Sequence, residues 1–574
     1  MAPRNALAMN GAAAQLPPSR YSNSAEMLGL HMLPQRPPFF DPNGPALGRR
    51  AVLGGGLAAA GLIAAPAIIG RACAQSVNWN RDPFALGVAS GAPTPSGFVL
   101  WTRLAPDPLS PDPATPGGLS AEFYPVAFEI AADAQMRDIV RSGMTMARRE
   151  LGYSVHAGVA GLEPNRPYWY RFMIGDALSP VGRTRTVPSF GTGLERLRFG
   201  FVSCAHYEVG YFSAYRHLAE ENPDVVLFLG DYIYEYAYPP ETEGLVRTHS
   251  DGVEATDLRT YRNRYAQYRM DPDLQRLHAA TPSLVTWDDH ELENDYANFH
   301  SQSHDNEERF RARRIAAYRA FYEHMPLSAL SWPNGSLLHL YQRYSFGDLA
   351  EISLIDGRQY RSPAPCYAAP DWGRGRLQTN SECPERLESE RTMLGRRQEA
   401  WLYDGIKSSN ARWNILGENV MMVQLLQRTE SGAAAYWTDN WNGYPANRGR
   451  VLQTIEQSGL SNPVLLAGDI HSFWTNDIKL DFDDPNSPTI ASEFVGSSIT
   501  SNRPPYDVFL SVLPDNPHVK YFDSRMCGYA TVDLTKEQMT TRFRAISERT
   551  DPNATVSTLK TFAVENGRPG AVEI

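Results

Sequence analysis

Residues able to hold metal ions stand at the ends of four apolar runs. Cys204 and His206 close LRFGFVSCAH (Leu197 to His206), and Asp231 and Tyr234 lie in DVVLFLGDYIYEY (Asp224 to Tyr236). Asp288, Asp289, His290, Glu291, Asn294 and Asp295 end SLVTWDDHELEND (Ser283 to Asp295), and Asp469 and His471 follow PVLLAG (Pro463 to Gly468). Carboxylate and amide oxygens suit hard divalent cations, while thiolate and phenolate suit iron. Each cluster alone has a plainer reading: a turn, a helix cap, a packed aromatic, or a buried thiol acting as a small hydrophobe. Four in one chain, each after a strand-like run, argue for a single shared site, because open α/β sheets bind ligands just beyond the carboxyl ends of their strands.

The elements that must position these residues follow from pattern. Runs of four to eight apolar, β-rich residues suit strands buried on both faces. From about Leu194 onward such runs alternate with helical stretches, among them YFSAYRHLAEEN, TDLRTYRNRYAQYR, ERFRARRIAAYRAFYEHM and GRRQEAWLYDGIKSS. That alternation predicts a layered α/β domain over residues 194–574. Residues 80–188 read instead as about seven short strands separated by Pro/Gly turns, which predicts a small β-sandwich. Residues 189–196, SFGTGLER, fit a linker.

Residues 1–74 form a third segment. Adjacent Arg49 and Arg50, a Gly/Ala-rich apolar stretch from Ala51 to Gly70, and Ala72-Cys73-Ala74 have the form of a twin-arginine signal peptide. The stretch is just long enough to be a membrane anchor, but its glycines, alanines and cleavage-like ending favour a removed signal and no permanent span. The expected destination is periplasmic or secreted, with the twin-arginine export machinery as partner. In an oxidising compartment Cys366 and Cys383 are expected to pair. Lys plus Arg total 54 against 64 Asp plus Glu, a net charge of −10, which argues against a broad nucleic-acid-binding face. The oligomeric state is not legible.

The same segments resemble a known family. Ser203-Cys204, GDYIYEY (Gly230 to Tyr236), WDDHE with Asn294, and GDIHSFW (Gly468 to Trp474) are similar to motifs of the PhoD-type alkaline phosphatase/phosphodiesterases, a branch of the metallophosphoesterases. GVASG, VLWTRL, DGRQYR (Asp356 to Arg361), WNGYPANR (Trp441 to Arg448), EFVGSSITS (Glu493 to Ser501) and Asn516-Pro517-His518 resemble it too. The resemblance implies a fibronectin-like β-sandwich ahead of a four-layer αββα catalytic domain, with ferric iron and calcium as cofactors. It implies Cys204, Asp231, Tyr234 and His471 as iron ligands, and Asp231, Asn294 and Asp469 as calcium ligands. Asp289 and Asn294 stay alternatives for one ligand position. His206 and Asn442 depart from the pattern, and His206 leaves open a Cys204/His206 pair holding a different metal.

The implied function is an exported, metal-dependent hydrolase of phosphate mono- and diesters, with a metal-bound hydroxide or oxide as nucleophile. His290 and Asp289 are the catalytic candidates, and Glu291 or Asp295 is expected to support His290. Arg358 and Arg525 are either phosphate contacts or structural ion-pair formers. The alternatives are a phospholipase D-like or polymer-directed phosphodiesterase and, outside enzymes, a secreted metal- or phosphate-binding protein. The C-terminal residues are expected either to lie across the site as a lid or to form a last strand.

Overall fold

A computed structural model describes residues 79–303, 306–366 and 375–574. The signal peptide expected within residues 1–74 lies outside the described residues. Two large sheets carry the fold. In the ten-stranded sheet, Arg196–Val202, Val225–Leu229 and Ser283–Thr286 run parallel at the centre. In the seven-stranded sheet, Ala350–Leu354, Trp413–Gly417, Pro463–Ala467 and Thr489–Val495 run parallel. Every residue of Val225–Leu229, Ser283–Thr286, Trp413–Gly417 and Pro463–Ala467 is buried, which is why these strands read as unbroken apolar runs rather than alternating ones.

The burial has a consistent direction. Phe199, Phe201, Leu227 and Leu229 of the first sheet share one apolar cluster with Ile352, Leu354, Ile415 and Leu466 of the second. The alternate residues Val202, Val226 and Phe228 pack with the helices Ser213–Glu220, Leu258–Arg269, Pro272–Ala280 and Glu307–His324. On the second sheet Leu416, Leu465 and Ala467 pack with Gly395–Ser408 and Pro445–Ser458. The helices begin where side chains can satisfy their free N–H groups. Asp257 and Thr260 form a reciprocal capping box, and Asn306 accepts from the N–H groups of Glu308 and Arg309.

The front segment does not close on itself as a separate sandwich. Phe123–Ala131, Ile139–Arg148, Pro167–Ile174, Ala177–Leu178 and Gly182–Arg185 form one sheet of their own. Val88–Thr94, Gly97–Arg103 and Ser154–Val159, which pack against it, belong instead to the ten-stranded sheet, joined where Gly91 pairs with Ser283. A Cβ at Gly91 would lie 2.5 Å from the Pro326 carbonyl oxygen and 2.9 Å from that of Ser283, so only glycine permits the junction. Sequence pattern reports that strands exist but not which edge they join.

The C-terminal residues form the strands Val556–Glu565 and Arg568–Glu573 at the edge of the ten-stranded sheet, with the Gly570 N–H donating to Ser492 Oγ (3.1 Å). This is the last-strand reading, and a lid from this segment is ruled out by its pairing. No helix among the described residues is long and apolar enough to cross a membrane.

Cys366 and Cys383 are bonded across 17 residues, as expected for an oxidising compartment. Closing a loop of that length removes unfolded-state entropy worth about 3 kcal/mol. Replacing both cysteines by serine should therefore lower the denaturation midpoint of the oxidised protein, and added reductant should then have no further effect.

Candidate active site

Where the apolar strands end, the backbone turns sharply. Cys204 (φ 61°), Asp231 (51°), Asp469 (65°) and His471 (54°) all occupy the left-handed region, unusual for residues other than glycine. Four sequence-predicted ligands thus sit in strained conformations that the surrounding structure must hold in place. Gly230 (φ 106°) makes the turn before Asp231 possible, because a Cβ there would lie 2.5 Å from Asp288 Cβ. The strand ends are laced together by Cys204 N–H to the Gly230 carbonyl (3.2 Å) and Gly468 N–H to that of Asn419 (3.0 Å).

These turns bring the predicted residues together. Three groups have ligand atoms within 4.8 Å of one another: Cys204, Asp231 and His471; Asp231, Asp289 and His290; and Asp288, Asp289 and Asp469. Asp231 links the first group to the second and Asp289 links the second to the third, so the three form one continuous site. Tyr234 Oη joins the first, donating to Asp231 Oδ2 (2.9 Å) beside His471 Nε2 (3.1 Å), and it accepts from Ser501 Oγ (2.7 Å). Asn294 is anchored by its backbone N–H to Glu235 Oε1 (2.9 Å). His206 is buried apart from these groups, accepting from the Glu208 N–H and packed on Tyr234 and Tyr238, which gives no support to a Cys204/His206 pair.

The donor set suits cations. Asp231 Oδ1, Asp288 Oδ2, Asp289 Oδ1 and Asn419 Oδ1 are buried acceptors without a hydrogen-bond partner, a costly state for an oxygen removed from water. Burial and the neighbouring carboxylates push Asp288 up to about 8 and raise Asp469 and Glu291 well above the ordinary carboxylate range. Burial and then Asp231 likewise raise the Cys204 thiol and the Tyr234 phenol. A bound cation reverses this preference, since it favours the anionic form of every group facing it.

Arg358 is the buried guanidinium at the centre. It donates to Asp288 Oδ1 and to Asp439 Oδ2 (2.8 Å), and lies 3.4 Å from Asp289 Oδ1. Arg358 thus forms buried ion pairs, and Arg525 pairs with Asp523. With His290, Arg358 outweighs the effect of burial on Asp289 and holds that carboxyl low.

The expected support for His290 is different in the structure. Glu235, not Glu291 or Asp295, bonds His290 Nδ1 (2.7 Å). Glu291 instead accepts the backbone N–H groups of Asp231 (3.1 Å), Tyr232 (2.6 Å) and Asp288 (2.8 Å), fastening two strand ends together. Asp295 donates its N–H to Asp289 Oδ2 (2.7 Å). For His290, burial acts to lower the pKa, but Glu235, Asp289 and Asp231 outweigh it and raise it well above the usual range.

Sequence reasoning also missed Asn419, which donates from Nδ2 to Asp288 Oδ1 (2.6 Å), and Asp439, which holds Arg358 and Arg361. Asn419 carried a usable signal: the fully buried strand Trp413–Gly417 stops at Glu418-Asn419, the pattern that marked the other four segments.

Residues 199–543 match the PhoD-like phosphatase family, and residues 70–188 match its N-terminal domain. The chain belongs to the PhoD-like phosphatase family. It is 42% identical over 499 residues to alkaline phosphatase D of Bacillus subtilis (strain 168), covering 86% of this chain and 82% of that protein. A solved structure of PhoD superposes with a TM-score of 0.81 at 41% identity, covering 87% of this chain and 93% of that one. The chain is thus a phosphoric ester hydrolase of mixed α/β fold, and membership of this family implies a metal cofactor.

Because Arg358 offsets several buried carboxylates, Arg358→Gln should cost roughly 3–5 kcal/mol of stability, read from denaturant unfolding of the metal-free protein. Arg358→Lys should restore little of it, since a lysine cannot reproduce the planar fork that reaches Asp288 and Asp439 together.

Proposed function

We propose that this chain is an exported hydrolase of phosphate mono- and diesters whose site holds ferric iron and calcium. The observation that carries the proposal is the continuous site made by three ligand groups that share Asp231 and Asp289 and leave buried oxygens unpartnered. Cys204, Asp231, Tyr234 and His471 would hold iron, the anionic phenolate and carboxylate suiting a hard trivalent ion and the thiolate adding a further anionic donor. Asp231 and Asp469, with Asp289 or Asn294, would hold calcium through oxygen ligands. Bound cations would supply Lewis acidity toward the phosphoryl oxygens and a lowered pKa for water.

The chain's own residues do the rest. With Nδ1 held by Glu235, His290 offers Nε2 as the nitrogen that can carry a proton to the leaving oxygen. Asp289 lies in the same ligand group and would fix the charge beside that nitrogen. Glu235 selects the tautomer and, by also accepting the Asn294 N–H, ties His290 to the same loop.

We read the two sheets with helices on their outer faces as a four-layer αββα catalytic unit over residues 194–574. Residues 80–188 form a front β-sandwich layer continuous with it. Support comes from the apolar cluster shared by both sheets and from the helices packed beyond each. Arg49-Arg50 and the apolar stretch after them support twin-arginine export to the periplasm or beyond. The phospholipase D-like or polymer-directed reading differs only in the alcohol portion of the substrate.

Two measurements test this. The protein from Gln75 onward should carry iron and calcium and hydrolyse both a phosphomonoester and a phosphodiester, with calcium chelation lowering turnover about 100-fold or more. Bound metal without turnover would favour a binding protein, and absent iron would remove Cys204 and Tyr234 as ligands. His290→Ala should lower kcat by roughly 10²–10⁴-fold with the metal content retained. Loss of metal in that variant would make His290 a ligand instead.

A further inference from the structure

A run of aromatic rings extends from His290 through Tyr236 to Tyr238. Tyr236 stands edge-on to His290, with ring centroids 5.5 Å apart, and Tyr238 stands edge-on to Tyr236 at 5.4 Å. Both tyrosines are half-buried, whereas His206, against whose ring Tyr238 stacks at 5.2 Å, is only 2% exposed. Tyr238 is held from two sides. Its N–H donates to Glu208 Oε2 (2.8 Å), and its hydroxyl lies 3.5 Å from Asn502 Nδ2. Asn502 is itself fixed to the site, its carbonyl bonded by His471 Nδ1 (2.6 Å). The half-buried ring at position 238 is thus held in place, stacked on His206 and linked through Asn502 to His471. Phosphate chemistry at Asp231 and Asp289 makes no use of it.

Its position limits what can lie on it. Two ring-to-ring steps separate Tyr238 from His290, so a ring bonded directly to the ester oxygen would meet Tyr236 first. A planar ring set off by a sugar would reach Tyr238. We propose that Tyr238, backed by His206, is the stacking platform for the base of a nucleoside phosphate ester whose phosphate is hydrolysed at the adjacent site. This assignment rests on the phosphoesterase reading and names a substrate class for it. Base–aromatic stacking tolerates any base, because every base presents a π face, so the platform would select nucleosides as a class rather than one of them.

The test uses the metal-loaded protein from Gln75 onward and compares KM for uridine 5′-monophosphate with KM for glycerol 3-phosphate. Tyr238→Leu should raise the ratio of the two KM values about 5- to 100-fold. Tyr238→Phe, which retains the ring, should keep the ratio close to that of the unaltered protein. If Tyr238→Leu does not fold, Tyr238→Trp should lower the ratio by enlarging the face. An unchanged ratio in the leucine variant, a phenylalanine variant that behaves like leucine, or a tryptophan variant with no lowering overturns the assignment. Should the unaltered protein hydrolyse neither ester, the phosphoesterase reading fails by itself. Adenosine binding measured by calorimetry, and lost in Tyr238→Leu, would then still uphold the platform, and its absence would remove it.

Discussion

Packing the buried Asp231, Asp288 and Asp289 together with the partly exposed Asp469 into one site sets the terms for everything around it. Like charges a few ångströms apart and away from water repel strongly, and Arg358 supplies one positive charge among them. The remaining negative potential has two outlets: protons, as the raised Asp288 and Asp469 show, or cations. Thiol and phenol groups at Cys204 and Tyr234 follow the same logic, being pushed up by burial until a cation faces them. The site is therefore organised around charges that the polypeptide does not itself supply.

Holding such a site requires a scaffold that cannot relax. The strand ends come from two sheets, and the apolar cluster between them fixes the approach of Leu227 and Leu229 to Ile415 and Leu466. Against that rigid interior the left-handed turns at Cys204, Asp231, Asp469 and His471 cannot unwind without pulling a strand out of register. Glu291 reinforces this from within, spending both carboxylate oxygens on three backbone N–H groups from two strand ends. A residue expected from sequence to support His290 is thus a clamp between strand ends, and Glu235 takes the place beside His290 instead.

Legibility in the sequence followed the range of the interactions concerned. Buried parallel strands were readable because four or five consecutive residues share one environment. That Cys204, Asp231, Tyr234, Asp469 and His471 would meet could be read because each stands just after such a run stops. Contacts between distant segments were not. Glu235 looks like one more residue in an aromatic run, and nothing local says that it meets His290 55 residues later. Arg358 sits in DGRQYR, and nothing local says that it pairs with Asp288 and Asp439, 70 and 81 residues away. The junction at Gly91 was hidden for the same reason, since one paired residue joins the front strands to the catalytic sheet and strand propensity does not encode the choice of neighbour.

Cation binding and folding are linked in a site of this kind. Any ion that binds the folded chain and not the unfolded one stabilises it in proportion to the logarithm of its concentration over Kd. Here the unfolded chain would disperse the four carboxylates, the thiol and the phenol along residues 204–471, so it offers no competing cluster. The strained turns then have a source of compensation. Family membership implies a metal cofactor, and a cation held at this site would offset conformational energy stored in the left-handed turns at Cys204, Asp231, Asp469 and His471. A turn relaxed to ordinary φ would re-aim the side chain presented there and open the contacts that meet at Asp231, so the turns and the cluster stand or fall together.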